Sequence, residues 1–192
     1  MSSSRTRIFW KLVILAALLL VALSAALPLN HANPSIAFAG DTLTQEWGFP
    51  SANLGIRGQN SSQMLARFSR QISGHGYKQI VLLAGTTDTL QHINPSVTLS
   101  NLDAMATIAQ ENNIEPVLAN VPPIYRNNGK LMPQVQALNA RIAQLAAARG
   151  LRLVDYYAPL YGHASGYTDG VRLKRTNYWR MEWALHHTLK LF

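Results

Sequence analysis

The sequence predicts a three-layer α/β/α sandwich on about five parallel strands, preceded by an N-terminal hydrophobic helix. Three observations carry this expectation. Short apolar runs alternate with longer stretches of helical periodicity. The run Ile80-Val81-Leu82-Leu83 is apolar throughout, as a central parallel strand covered on both faces must be. Polar, glycine-bearing motifs recur just after these runs, where open parallel sheets place their ligand sites.

Residues 1–34 differ in kind from the rest. Arg5, Arg7 and Lys11 precede a stretch, Leu12 to Leu29, that is almost wholly apolar. A basic start before an apolar run keeps the N-terminus cytoplasmic and exports the downstream chain. About 18 apolar residues approach the length needed to span a bilayer, which favours a membrane anchor over residues 8–29. Ser24-Ala25-Ala26 supplies the small residues of a cleavage site, which favours a removed signal peptide. Either way the expected domain, 35–192, is exported: extracytoplasmic if anchored, secreted or periplasmic if cleaved.

Within that domain, Ile36–Ala39 reads as the first strand, stopped by Gly40. Ala52–Ile56 reads as a second strand closing on Arg57-Gly58. Ser61 and Ser62 can cap a helix with Met64, Leu65, Phe68 and Ile72 on one face, and Gly74-His75-Gly76 stops it. Gln79–Ala84 is the third strand. Asn94-Pro95-Ser96 starts a helix carrying Val97, Leu99, Leu102, Met105 and Ile108, which ends near Asn112-Asn113. Glu115–Asn120 is the fourth strand, followed by Pro122-Pro123 and a polar loop. A helix over Met132–Arg149 ends at Gly150, and Leu151–Val154 is the fifth strand. A loop over 156–170 precedes the last helix, Thr176–Leu189.

Composition narrows the chemistry. The 192 residues contain no cysteine, which excludes disulfides, thiolate catalysis, Cys-ligated metals and a lipidated cysteine. The net charge is +8, with 17 basic and 9 acidic side chains; three of the cations precede residue 36, leaving 14 against 9, or +5, on the domain. That balance reads as a solvated basic surface. Nucleic-acid binding is not expected, since cations interleaved with aromatics on one element are scarce and the domain is exported. No His/Asp/Glu set has metal-site spacing, so neither metal nor cofactor is expected.

The polar motifs fall in order at strand ends: Gly40-Asp41-Thr42, then Gly58, then Gly85-Thr86-Thr87-Asp88, then Asp169-Gly170-Val171-Arg172. On these residues the chain resembles the SGNH (GDSL-type) hydrolases, flavodoxin-like esterases and lipases, over about Ile36 to Leu189. The resemblance implies a serine nucleophile after Gly-Asp, and it places Thr42 there. A second-block glycine helps form the oxyanion hole, and Gly58 keeps it. The third-block asparagine, also an oxyanion donor, is Thr87 here. The closing Asp-x-x-His pair supplies orienter and base; Asp169 is present, but Arg172 stands in the histidine position.

These exchanges have chemical consequences. Threonine keeps a hydroxyl, adds a methyl that stiffens χ1, and can act as a nucleophile when a base is at hand. Arg172 cannot be that base, because a guanidinium stays protonated. Thr87 is shorter than asparagine and offers a hydroxyl for an amide. The resemblance therefore implies an esterase fold with an impaired or inactive site, retaining a pocket for an acylated or anionic glycan or lipid. Two other readings stay open: an esterase with Thr42 as nucleophile and an unrecognised base, and a non-catalytic docking domain of an envelope complex.

Other candidates surround this set. His163, in the loop ahead of Asp169, is the histidine closest in sequence to the site. His92 comes after the third block and is a candidate pocket border. His75 is expected on the surface, and His186 and His187 as partly exposed residues of the last helix. Asp41, Asp88 and Asp169 are expected at the pocket rim, the first two satisfying loop N–H groups and Asp169 pairing with Arg172 or a nearby cation. Trp47 and Phe49 either wall the pocket or belong to the core. Trp179 and Trp183, four apart on one helical face, are expected to pack into the core.

Overall fold

The computed structural model describes residues 35–49 and 52–190, together with Val13. The chain divides into two units, Met1–His31 and Ala32–Phe192. The anchor or signal expected over residues 8–29 lies outside the described residues but for Val13. Among the described residues, no helix is long and apolar enough to cross a membrane.

Five parallel strands form one sheet in the order β2-β1-β3-β4-β5. They are β1 (Ile36–Gly40), β2 (Ala52–Asn53), β3 (Gln79–Leu83), β4 (Glu115–Ala119) and β5 (Arg152–Val154). β1 and β3 pair in register from Ile36 opposite Gln79 to Gly40 opposite Leu83, which brings the ends of both strands level. The order reverses direction between β1 and β3, and such a switch point opens a crevice beyond the strand ends.

β2 is shorter than its sequence predicts. The pairing survives past Asn53 as Leu54 N–H to Phe38 O (2.8 Å) and Ile56 N–H to Gly40 O (3.1 Å). Asn53 turns its amide onto the Thr44 and Trp47 carbonyls and accepts from Gly55 N–H, which ends regular strand geometry.

One face of the sheet is covered by α2 (Ser61–Ile72), α4 (Pro95–Glu111) and α5 (Met132–Ala148). Met64, Phe68 and Ile72 of α2 pack with Leu102 and Met105 of α4 and with Leu138 and Ile142 of α5, over Ile80 and Leu82. The other face carries α1 (Thr42–Gln45) and α6 (Arg175–Leu189). There Leu43 and Trp47 join Tyr178, Met181 and Leu185 over Val81, Leu83 and Val117. α2 starts as its sequence suggests, but one residue earlier: Asn60 and Gln63 form a reciprocal capping box.

The third block, read as a loop from sequence, folds as a short helix, α3 (Thr86–Leu90). Gly85 enters it with φ +127°, and a Cβ there would lie 2.6 Å from Val121 Cγ2 and 2.8 Å from Leu138 Cδ2. Both the backbone conformation and the space demand glycine. Gly85→Ala is expected to destabilise the domain by about 1–3 kcal/mol. Urea unfolding should show this as a lower midpoint with an unchanged slope.

Candidate functional site

The site is assembled at the level ends of β1 and β3. Gly40 closes β1 where α1 folds back on it; a Cβ there would fall 1.9 Å from Thr44 Oγ1. Asp41 caps α1, its Oδ1 accepting from Leu43 N–H at 3.0 Å. Its Oδ2 accepts from Thr87 twice, from N–H at 3.3 Å and from Oγ1 at 3.0 Å. One buried carboxylate thus joins the first block to the third.

Burial raises the Asp41 carboxyl, which is pushed up to about 6. The hydrogen bonds from Leu43 and Thr87 pull the other way, and neighbouring Asp88 adds to the rise. Asp88 is equally buried and lies inside the domain, not at a rim. It accepts from Ser61 N–H and Oγ and from Thr98 Oγ1, tying α3 to α2 and α4.

Thr42 is the first residue of α1 and is half-buried. Its Oγ1 accepts a hydrogen bond from Gly58 N–H at 2.8 Å. Gly58 holds φ +73° in the turn after β2, a left-handed conformation that turns its N–H toward Thr42. The Thr87 hydroxyl, by contrast, spends its proton on Asp41 and is 8% exposed.

Asp169 is engaged on both oxygens. Oδ1 accepts from the N–H groups of Arg172 (2.7 Å) and Val171 (3.0 Å). Oδ2 accepts from Arg172 Nε at 3.2 Å and from Arg126 Nη2 at 2.9 Å. Burial is the largest single influence on this carboxyl and would raise it. The bonds from Arg172 and Val171 and the Arg126 charge together outweigh it and hold the group below the usual carboxylate range.

Arg172 also reaches Glu46 Oε1 with Nη1 (3.9 Å), and Glu46 pairs with Arg57 at 2.6 Å. The result is a chain of charges, Arg57–Glu46–Arg172–Asp169–Arg126, across four connections between elements. Three guanidiniums face two carboxylates, leaving one surplus positive charge. Glu46, Arg57 and Arg126 are absent from the sequence-based candidates. Arg126 arrives because Tyr125 and Arg126 N–H both bond Gly170 O, at 2.7 and 3.2 Å. Gly170, at φ +79°, leaves room for that approach, since a Cβ would meet Arg126 N at 2.4 Å.

Among the described residues, neither His163 nor His92 is joined to the cleft set, Thr42 and Asp169, by a side-chain hydrogen bond. His163 is exposed, and its carbonyl accepts from Asn177. His92 is exposed at φ +55°, and His75 stacks on Tyr77 at the surface. His186 is buried beside Phe49 instead of partly exposed, because it lies on the inward stripe of α6. Trp47 is core, stacked on Tyr178 and donating Nε1–H to Glu182 at 3.0 Å. Among the described residues, no group of three or more His, Asp or Glu is placed to hold a metal ion.

A model of the GDSL-like lipase/acylhydrolase family matches residues 24–186. The chain belongs to that family. Its fold is shared with a GDSL-like lipase from Bacteroides thetaiotaomicron, at 28% identity and TM-score 0.72, over 88% of this chain and 95% of the other. A lipolytic G-D-S-L protein from Veillonella parvula is similar at 16% identity and TM-score 0.72, over 82% and 98%. An acetylxylan esterase from Geobacillus stearothermophilus is similar at 12% identity and TM-score 0.73, over 84% and 96%. Comparison with curated proteins gave no match.

The two carboxylates make opposite demands on pH. Asp169, with a lowered value, stabilises the fold above the unfolded carboxylate range and loses that contribution as pH falls below it. Asp41, with a raised value, holds its proton longer folded than unfolded, so its contribution falls as pH rises between about 4 and 6. At about 1.4 kcal/mol per unit, this loss is on the order of 3 kcal/mol. Asp41→Asn should therefore gain stability relative to the parent from pH 4 to pH 7. Chemical unfolding of both proteins across that range checks the sign.

Proposed function

We propose that this chain is an exported member of the family whose ester-hydrolysing site has lost its base and serves to bind an acylated or anionic glycan or lipid. The observation that carries this reading is Arg172 in the position of the family's histidine, its Nε held on Asp169. The orienting carboxylate has acquired a permanent cation as its partner. Arg172 cannot take the Thr42 proton, because its guanidinium stays protonated.

The magnitudes support impairment. Loss of a triad base costs on the order of 10⁴–10⁶ in rate. Loss of one oxyanion donor costs about 10²–10³. The two do not add, and the first alone suffices.

The surplus positive charge at the strand ends favours an anionic ligand. A lipase and an acetylxylan esterase among the similar structures make acyl-bearing lipids and glycans the classes to try first. Export rests on the basic start and the apolar run over Leu12–Leu29. One observation favours a second reading, a surviving esterase: the Thr42 hydroxyl is still half-buried beside a backbone N–H, as a nucleophile near an oxyanion donor would be.

Hydrolysis of p-nitrophenyl acetate by the purified protein separates the two. The expected rate is background, unchanged in Thr42→Ala; turnover abolished by Thr42→Ala would overturn the binding reading. The combined reversion Thr42→Ser, Thr87→Asn and Arg172→His is expected to raise hydrolysis on the order of 10²-fold or more, since it restores nucleophile, donor and base. A flat response would show that the cleft no longer has catalytic geometry.

A further inference from the structure

The outward face of α6 overturns the core placement expected for its tryptophans. Tyr178, Met181, Leu185 and Leu189 take the inward stripe. Trp179 and Trp183, one turn apart, are left 50% and 61% exposed. With Pro159, Thr176 and Arg180 they line a groove of about 320 Å³. Its walls are two indoles, a proline ring, a threonine and an arginine stem. A saccharide would find few hydrogen-bonding partners there.

The charges nearest the indoles are mostly positive. The Arg175 guanidinium lies 5.4 Å from the Trp179 ring centroid. Arg180 Nη1 donates to the Thr176 carbonyl at 3.2 Å, and Lys190 caps the helix end. Glu182, the one acid on the helix, is half-buried, accepts from Trp47 Nε1–H and lies within reach of the Arg175 charge. Asp155, before the neighbouring turn, is engaged by Asn120 and by the N–H groups of Tyr157 and Ala158. Indoles flanked by cations match the interface of an anionic bilayer: indole rings settle at headgroup level and arginines pair with lipid phosphates.

We propose that the Trp179/Trp183 face of α6 docks on an anionic lipid surface, as a membrane contact separate from the Thr42 cleft. The sequence adds a reason for proximity. The apolar run ends at Leu29 and the described fold starts at Ser35, a connection that reaches only about 20 Å when extended. If the run is an anchor, the domain works within that distance of the bilayer. Docking itself does not require the anchor.

The chain has no cysteine, so single labels can be introduced cleanly. Thr176→Cys places a spin label on the groove, and Ser69→Cys places a control on α2, across the sheet. The full chain is mixed with vesicles of phosphatidylglycerol and phosphatidylcholine in equal parts, and collisions with oxygen and with a nickel chelate are measured. The label at 176 is expected to gain oxygen collisions and lose nickel collisions, while the label at 69 stays aqueous. Trp179→Ser with Trp183→Ser should abolish the change. Arg175→Gln with Arg180→Gln should weaken its lipid dependence on the order of 10–30-fold.

A label at 176 that stays as aqueous as the one at 69 overturns the proposal, whether or not the chain floats with the vesicles. So does an equal response in pure phosphatidylcholine. Loss of both kinds of collision without lipid would also overturn it and point to a second copy of the chain on this face. Flotation reports the N-terminal segment and the label reports the helix, so failure of the anchor and failure of the docking face are told apart.

Discussion

The buried carboxylate of Asp41 is the constraint on which the site depends. It caps α1, receives Thr87, and so fixes the end of β1 against the start of α3. Because a desolvated carboxylate is costly, its three hydrogen bonds cannot be surrendered without loss to the fold. Asp88 does the same for α3, α2 and α4 through Ser61 and Thr98. These two acids belong to family blocks usually read as signs of catalysis, yet their bonds here are structural. The framework bonds of the two acids are therefore independent of the chemistry that Thr42 and Arg172 carry. Framework and chemistry rest on different atoms of the same motifs.

Thr87 illustrates the separation. Its N–H and hydroxyl both serve Asp41, so this third-block residue is part of the scaffold that joins β1 to α3. Arg172 does something similar on the other side of the cleft. Its N–H still completes the turn around Asp169 Oδ1, as any residue could, while its guanidinium joins Asp169 to Glu46. Partly exposed ion pairs contribute little stability each. Their effect here is geometric: five side chains from four connections are held in one row, and the row carries a fixed positive charge.

Much of the fold was legible because its signals are local. The apolar run of β3 and the glycine at 85 each act on their own neighbours, whereas the cap of α2 fell to Asn60 with Gln63 and not to Ser61 or Ser62. The parts that were not legible depend on register between distant segments. Arg126 reaches Asp169 only because Gly170 admits the Tyr125–Arg126 backbone, a meeting of segments far apart in the chain. On α6, aromatic and apolar residues occupy two adjacent stripes, 178/181/185/189 and 179/183. Helical spacing fits both equally, and only the sheet decides which is buried. His186 goes with the buried stripe and Trp183 with the exposed one.

That choice of stripe has a physical reason. Tyr178 hydroxyl donates to Leu43 O at 2.9 Å, anchoring the start of α6 against α1. Trp47 lies stacked on the same tyrosine and donates to Glu182 one turn further on. Rotating the helix by one residue to bury Trp179 would strip both bonds, leaving the buried Leu43 carbonyl and the Trp47 indole N–H without those partners. Burying one indole in place of Tyr178 gains little apolar area by comparison, because the tyrosine ring already fills the space. The polar contacts of the core therefore hold the tryptophans at the surface. Their exposure is a consequence of how the cleft is built, even though they face away from it.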